Sequence, residues 1–185
     1  ANEKKGCPPD RPTLMKLFRD VDAYGLVSGL LTPEQGGPGI DRFTYGLLYE
    51  ELARVWPDMA IAILIQSHVA LLLANLAPPE IRRSHLAPLL RGERIGCSCI
   101  SEPAVGSNVA EVQARATLED GHYRLNGQKL WISNGAQSDF AVVILRIDDQ
   151  LNMLVVDREV DGRPDNYQHR ELDKMGLVGA STCEM

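Results

Sequence analysis

Residues 125–135 read LNGQKLWISNG, and the reading of this stretch decides how the second half of the chain is folded. Asn-Gly is the pair that most readily turns a two-residue β-hairpin, because both residues tolerate positive φ. On that ground 122–132 is read as a hairpin with Asn126-Gly127 at its centre. Trp131, one of only two tryptophans, then ends a strand two residues before Ser133 and just ahead of a second pair, Asn134-Gly135. An indole placed there offers a broad apolar face, and the serine offers a hydroxyl donor.

The surrounding sequence keeps the same character. The segment 95–100 is short and apolar, and 111–117 alternates Val112, Ala114 and Ala116 with polar residues. Glu119-Asp120-Gly121 reads as a turn, and 140–147 and 151–156 as β-rich runs around Asp148-Asp149-Gln150. Upstream of about residue 96 the period is helical. Leu14, Leu17, Phe18 and Val21 recur at three- and four-residue steps before Gly25. LTPEQGGPG, 31–39, is a loop, and Asp41 caps a helix whose apolar stripe is Phe43, Leu47, Leu48, Leu52 and Val55. Pro57-Asp58 starts another helix, Pro79 a fourth, and Gly92 ends the series. The expected fold is therefore α+β: an all-helical domain, 1–96, followed by a β domain, 97–185, with no G-x-G-x-x-G dinucleotide fingerprint.

Composition narrows the function. A net charge of −6 and a pI near 5.2 argue against a nucleic-acid partner. Cys7, Cys97, Cys99 and Cys183 form no C-x-x-C pair, which argues against zinc or a disulfide framework and for reduced thiols in an intracellular protein. The opening ANEKKGCPPDRP lacks the apolar core of a secretory signal. Residues 59–77 are long enough to span a membrane, but Gln66, Ser67, His68 and Asn75 interrupt them. They are read as a buried helix, not a membrane span.

Two stretches carry the candidate chemistry: CISEPAVGSN, 99–108, and LWISNG, 130–135. Each ends a strand in a hydroxyl and a turn, an arrangement suited to a flat polar ring system. Gly106-Ser107-Asn108 could present backbone amides and a hydroxyl to a phosphate. Taken singly, each has a plain structural reading: hairpin packing for Trp131, a turn for Ser101-Glu102-Pro103, a helix cap for Ser107-Asn108. Spacing alone names no cofactor.

Together and in this order, the two stretches resemble the paired signature of the acyl-CoA dehydrogenases, T-E-P-x-x-G-S-D followed by L-N-G-x-K-x-W-I-T-N-G. LTPEQGGPG, YEELARV, HLAPLLRGERIG and DKMGLVGASTCEM also resemble segments of that family, so the likeness runs from about residue 14 to the end. The resemblance implies that the β domain, 97–185, is an antiparallel β-barrel, with FAD as cofactor, an acyl thioester of coenzyme A or of a carrier protein as substrate, and oxidation of its Cα–Cβ bond. It implies that Cys99, Ile100 and Ser101 meet the flavin, the last two at its pyrimidine edge. Trp131 and Ile132 would line the ring, Ser133 would lie near N5, and Gly106 and Ser107 near the pyrophosphate, Ser107 also near the thioester. It further implies an electron acceptor such as an electron-transfer flavoprotein, a homodimer or homotetramer, and a cytoplasmic location, or the mitochondrial matrix in a eukaryote.

The departures are specific. Ser101 and Ser133 stand where threonine is commoner and keep the hydroxyl, while Asn108 stands for the commoner aspartate and removes a charge. The family's C-terminal helical domain, with its catalytic glutamate, is not in this sequence, so the base is expected outside it and the barrel is expected to be incomplete. Glu102, before proline, is read as structural. His68 and His122 are read as packing and surface residues, and Asp173-Lys174 as a turn or ion pair. A flavin oxidase or monooxygenase of the same fold, or a non-catalytic homologue, are the competing readings; Trp131–Gly135 favours the dehydrogenase over the monooxygenase.

Overall fold

A computed structural model describes residues 7–160 and 166–185; the first half of the opening segment, 1–6, and residues 161–165 lie outside it. Helices come first: α1 (Arg11–Asp22), α2 (Arg42–Val55), α3 (Pro57–Leu76), α4 (Pro79–Ile81), a π-turn (Arg82–Leu86) and α5 (Ala87–Leu90). Strands follow: β1 (Gly96–Cys99), β2 (Arg115–Glu119), β3 (His122–Asn126), β4 (Ile132–Ser133), β5 (Phe140–Ile147), β6 (Gln150–Asp157), β7 (Arg170–Glu171) and β8 (Thr182–Glu184).

Local chemistry sets the helix starts. Asp10 accepts a bond from the Thr13 amide, Asp41 accepts from Phe43 and Thr44, and Pro57 opens α3 where no N–H is needed. α3 is apolar all round, long enough to cross a membrane with a mean hydropathy of 1.9, and 56% of that stretch is buried inside the fold. Its two buried polar residues are bonded within the fold. Gln66 Nε2 donates to Arg94 O at 2.9 Å, its Oε1 accepts from the Gly96 amide at 3.1 Å, and the Tyr45 hydroxyl lies 2.6 Å from Ser67 Oγ. Those bonds clamp β1 onto α3. Glycine is required there: a Cβ on Gly96 would sit 2.7 Å from Val69 Cγ1 and 3.0 Å from Phe140 Cζ.

β5 is the spine of the first sheet. β6 pairs antiparallel along one edge of it. On the other edge β1 pairs parallel with its first half and β2 touches it, also parallel, at Arg115–Arg146. β2 and β3 form an antiparallel pair, and β4, β8 and β7 make a second, antiparallel sheet. The two sheets do not close into a barrel among the described residues; the first sheet, with Lys129, Tyr167 and Met185, lines an open cleft of about 1030 Å³. FAVVILRI in β5 is nearly continuously apolar because both faces are covered. Phe140 and Val142 join the helical core, while Ala141 and Leu145 belong to clusters on the other face of the sheet.

Two expectations are corrected. Asn126-Gly127 does not turn a hairpin. The turn joining β2 to β3 is Asp120-Gly121, both at positive φ, with Glu119 opposite His122, and β3 and β4 pair with different strands. Gly127 instead lets the chain pass close to Ala114, whose Cβ would lie 2.6 Å from any Cβ added there. The α2 stripe is buried only in part: Leu48 and Leu52 pack against the helical core, but the residues at its ends do not. Phe43 and Val55 are 77% and 84% exposed, and the buried side chain is Tyr45. Tyr45 and Tyr49 take the inner positions because their hydroxyls both bond Leu26 O, at 3.1 and 2.7 Å, which satisfies the loop after α1.

Candidate functional site

CISEPAVGSN, 99–108, and LNGQKLWISNG, 125–135, carry a single charge each, Glu102 in the first and Lys129 in the second. The fold brings these together. Lys129 Nζ donates to Glu102 Oε1 at 2.8 Å, to Ile100 O at 3.0 Å and to Ile144 O at 2.6 Å, and both charged side chains are only 6% exposed. Glu102 Oε1 and Oε2 also accept from the Ala114 and Gln113 amides at 2.9 and 2.8 Å. Burial alone would raise the Glu102 carboxyl, but Lys129 and these two amides outweigh it and hold it below the ordinary value. Both carboxylate oxygens are engaged, so Glu102 is a structural anion, as the sequence suggests, and not a free base. Lys129 is the residue that sequence reasoning did not single out. Its signal is that lone opposite charge in a stretch otherwise uncharged.

A second set of bonds shapes the Trp131 loop. Leu130 N donates to Ser101 O at 2.9 Å, which puts the two stretches side by side. Ile132 pairs with Cys183 in the β4–β8 ladder, and Lys129 and Met185 exchange both backbone bonds, at 2.7 and 2.9 Å. One strand therefore takes three steps where the other takes two, and Leu130 and Trp131 share the place opposite Glu184. This is a β-bulge, and bulges re-aim side chains. Trp131 accordingly has φ +62°, left-handed for a bulky residue, and stands 60% exposed. Asn134, also left-handed, is buried and donates to Ala62 O at 2.8 Å, fixing the loop's far end to α3.

The other proposed residues fall into two groups. Ile100, Ser101 and Ser133 are half-buried beside this loop. Cys99 and Ile132 are buried, with the Cys99 thiol 3.8 Å from that of Cys97 and 3.7 Å from Met185 Sδ. The neighbouring Cys97 thiol and burial push Cys99 up, and burial pushes Cys183 up to about 12, so both remain protonated at neutral pH. Gly106 and Ser107 lie beyond the small bridge between Glu102 and Val105, on an exposed loop, and open space surrounds the Gly106 Cα.

A helical domain clamped to a sheet-containing domain is the arrangement found in solved acyl-CoA dehydrogenases. Residues 3–93 match the acyl-CoA dehydrogenase N-terminal domain and residues 97–185 the acyl-CoA dehydrogenase middle domain. The chain belongs to the acyl-CoA dehydrogenase family. It is 35% identical over 173 residues to a benzylmalonyl-CoA dehydrogenase of Aromatoleum aromaticum, covering 91% of this chain and 45% of that protein. It is 29% identical over 183 residues to a mitochondrial 2-methylacyl-CoA dehydrogenase of Solanum tuberosum, covering 96% of this chain and 43% of the relative. A glutaryl-CoA dehydrogenase of Mycobacterium smegmatis in complex with FADH2 superposes with a TM-score of 0.81 at 26% identity, over 94% of this chain and 45% of that one. The chain thus spans less than half the length of the relatives it matches.

Proposed function

We propose that this chain is the N-terminal helical and middle β portion, divided near residue 96, of an FAD-dependent acyl-CoA dehydrogenase. The observation that carries the reading is Trp131. An exposed indole held in a left-handed bulge costs on the order of 1–3 kcal/mol, and such strain collects at ligand sites. Beside it the fold sets Ser101 and Ser133, half-buried, and an open glycine turn at Gly106. These groups fit a flavin: an apolar wall, hydroxyl and backbone donors along one polar edge, and a loop able to approach a pyrophosphate.

When bound, FAD supplies the hydride acceptor. In this reading Trp131 packs against the ring and excludes water from one side. Ile100 and Ser101, with the Cys99 backbone, position its pyrimidine edge, and donors there favour arriving negative charge. Ser133 orients the ring near N5 with the Ile132 backbone. Gly106 and Ser107 hold the pyrophosphate, and Ser107 also meets the thioester. The base that takes the α-proton lies outside this chain. Relatives named for coenzyme A thioesters support coenzyme A as the carrier. An electron-transfer flavoprotein as acceptor, a homodimer or homotetramer, and a cytoplasmic or mitochondrial-matrix location rest on the family alone.

The test is the visible spectrum of the purified protein that carries this chain. Flavin bands that bleach on adding an acyl-CoA are expected, together with loss of flavin from Trp131→Ala. Full retention of flavin by that variant would overturn the assignment.

A further inference from the structure

The loop that carries Ser133 ends in a short turn, Gly135–Gln137, and that turn is held from three sides. Asn134, left-handed at its start, donates to Ala62 O on α3, and its own amide reaches Ser181 O at 3.2 Å. Gly135 lies so close to β8 that an added Cβ would sit 2.3 Å from Cys183 Sγ. The third side is Arg158, the residue after β6. Its two Nη atoms donate to Ala136 O, at 3.0 Å, and to Gly135 O. Its guanidinium carbon lies 5.3 Å from the centre of the Tyr167 ring. The Tyr167 hydroxyl lies 3.1 Å from Ser138 Oγ, which donates to the same Gly135 O at 2.9 Å.

The chemistry of the side chain suits this place. The last carbonyls of a helical turn have no partner inside it and need outside donors. Successive carbonyls there lie roughly parallel, so a planar guanidinium meets two at once, where an ammonium offers only a point charge. The Tyr167 ring holds the plane of that fork and attracts its charge. Arg158 thus secures the exit of the loop as Lys129 secures its entry.

We propose that Arg158 is a positioning residue for the flavin: through the Gly135 and Ala136 carbonyls it holds the turn that fixes the Ser133 hydroxyl. The inference rests on the flavin reading above and adds to it a residue outside both signature stretches.

The test is FAD titration of the apoprotein, prepared from the protein that carries this chain, in Arg158→Met, Ser133→Ala and the double variant. Methionine keeps an apolar stem and removes the donors. Arg158→Met is expected to weaken FAD binding about tenfold, and Ser133→Ala to add little to that loss, because two residues acting as a unit are not additive. Arg158→Lys retains the cation and is expected to regain part of the affinity. It also carries the cycle if the methionine variant does not fold. Without FAD, the Gln137 and Ser138 amides, bonded to Asn134 O and Gly135 O, are expected to exchange about tenfold faster in Arg158→Met. Parental affinity or unchanged exchange in that variant would overturn the proposal. So would losses that multiply in the double variant, since Arg158 would then act otherwise than through Ser133. A parent apoprotein that takes up no FAD would instead overturn the flavin reading, and this proposal with it.

Discussion

Lys129 and Glu102 form a buried ion pair that ties together two stretches 27 residues apart in sequence. Around that pair meet the end of β1, the start of β2 and the middle of β5, through Ile100 O, the Gln113 and Ala114 amides and Ile144 O. Each charge has hydrogen bonds beyond its partner, so the pair is satisfied where it is buried.

Removing one member strands the other. Glu102→Ala leaves a buried ammonium with only two backbone carbonyls, Ile100 O and Ile144 O, and a loss of about 3–5 kcal/mol is expected in urea unfolding. Glu102→Gln keeps the shape and one of the two amide bonds and is expected to lose less. Equal losses in the two variants would show that the charge alone, and not the side chain's shape, holds the junction.

Trp131 supplies a paired comparison. Its left-handed backbone suits glycine, so Trp131→Gly is expected to be more stable than Trp131→Ala by about 1 kcal/mol, while both lose the indole. Chemical denaturation of the two variants measures the difference. Identical midpoints would mean that the residue is not held at positive φ.

The strand–helix clamp at Gly96 leaves no space. Gly96→Ala drives a methyl against Val69 and Phe140, and overpacking of this kind costs about 1–3 kcal/mol. The melting temperature is the readout. A variant as stable as the parent would show that β1 and α3 separate more easily than their contact implies.

Acid should loosen the same junction from its other end. Asp157, at the end of β6, receives His85 from the π-turn at 3.2 Å and Arg94 from the segment before β1, while Asp139 bonds Arg11 and the Ile95 amide. The His85 bond foremost, then Arg94, holds the Asp157 carboxyl below its ordinary value of 3.8 against the opposing effect of burial. A lowered folded value means that this stability is fully present above about pH 3.8 and is lost as pH falls through the folded value. Asp157→Asn is therefore expected to flatten the acid limb of the stability–pH curve below pH 4. An unchanged limb would assign that limb to other carboxylates.

Much of this architecture is legible in the chain. Period-3.6 patterns with Asp41 and Pro57 at their starts mark the helices, and runs such as 140–147 mark strands, because a helix cap or a pleat depends on neighbours within a few residues. The hairpin was misplaced at Asn126-Gly127 for the same reason: local turn chemistry cannot tell which strand β3 will meet. The pairing of β3 with β2 decides it, and Gly127 is then needed for its approach to Ala114.

By itself the sequence determined the helix-then-strand order, the two signature stretches and the family they resemble, since all of these depend on local pattern. The tertiary structure alone decided that Tyr45 and not Phe43 faces the core, that Lys129 is buried against Glu102, and that a bulge turns Trp131 outward. Each of those depends on residues tens of positions apart, where desolvation and hydrogen-bond satisfaction select one arrangement among several that the local pattern permits.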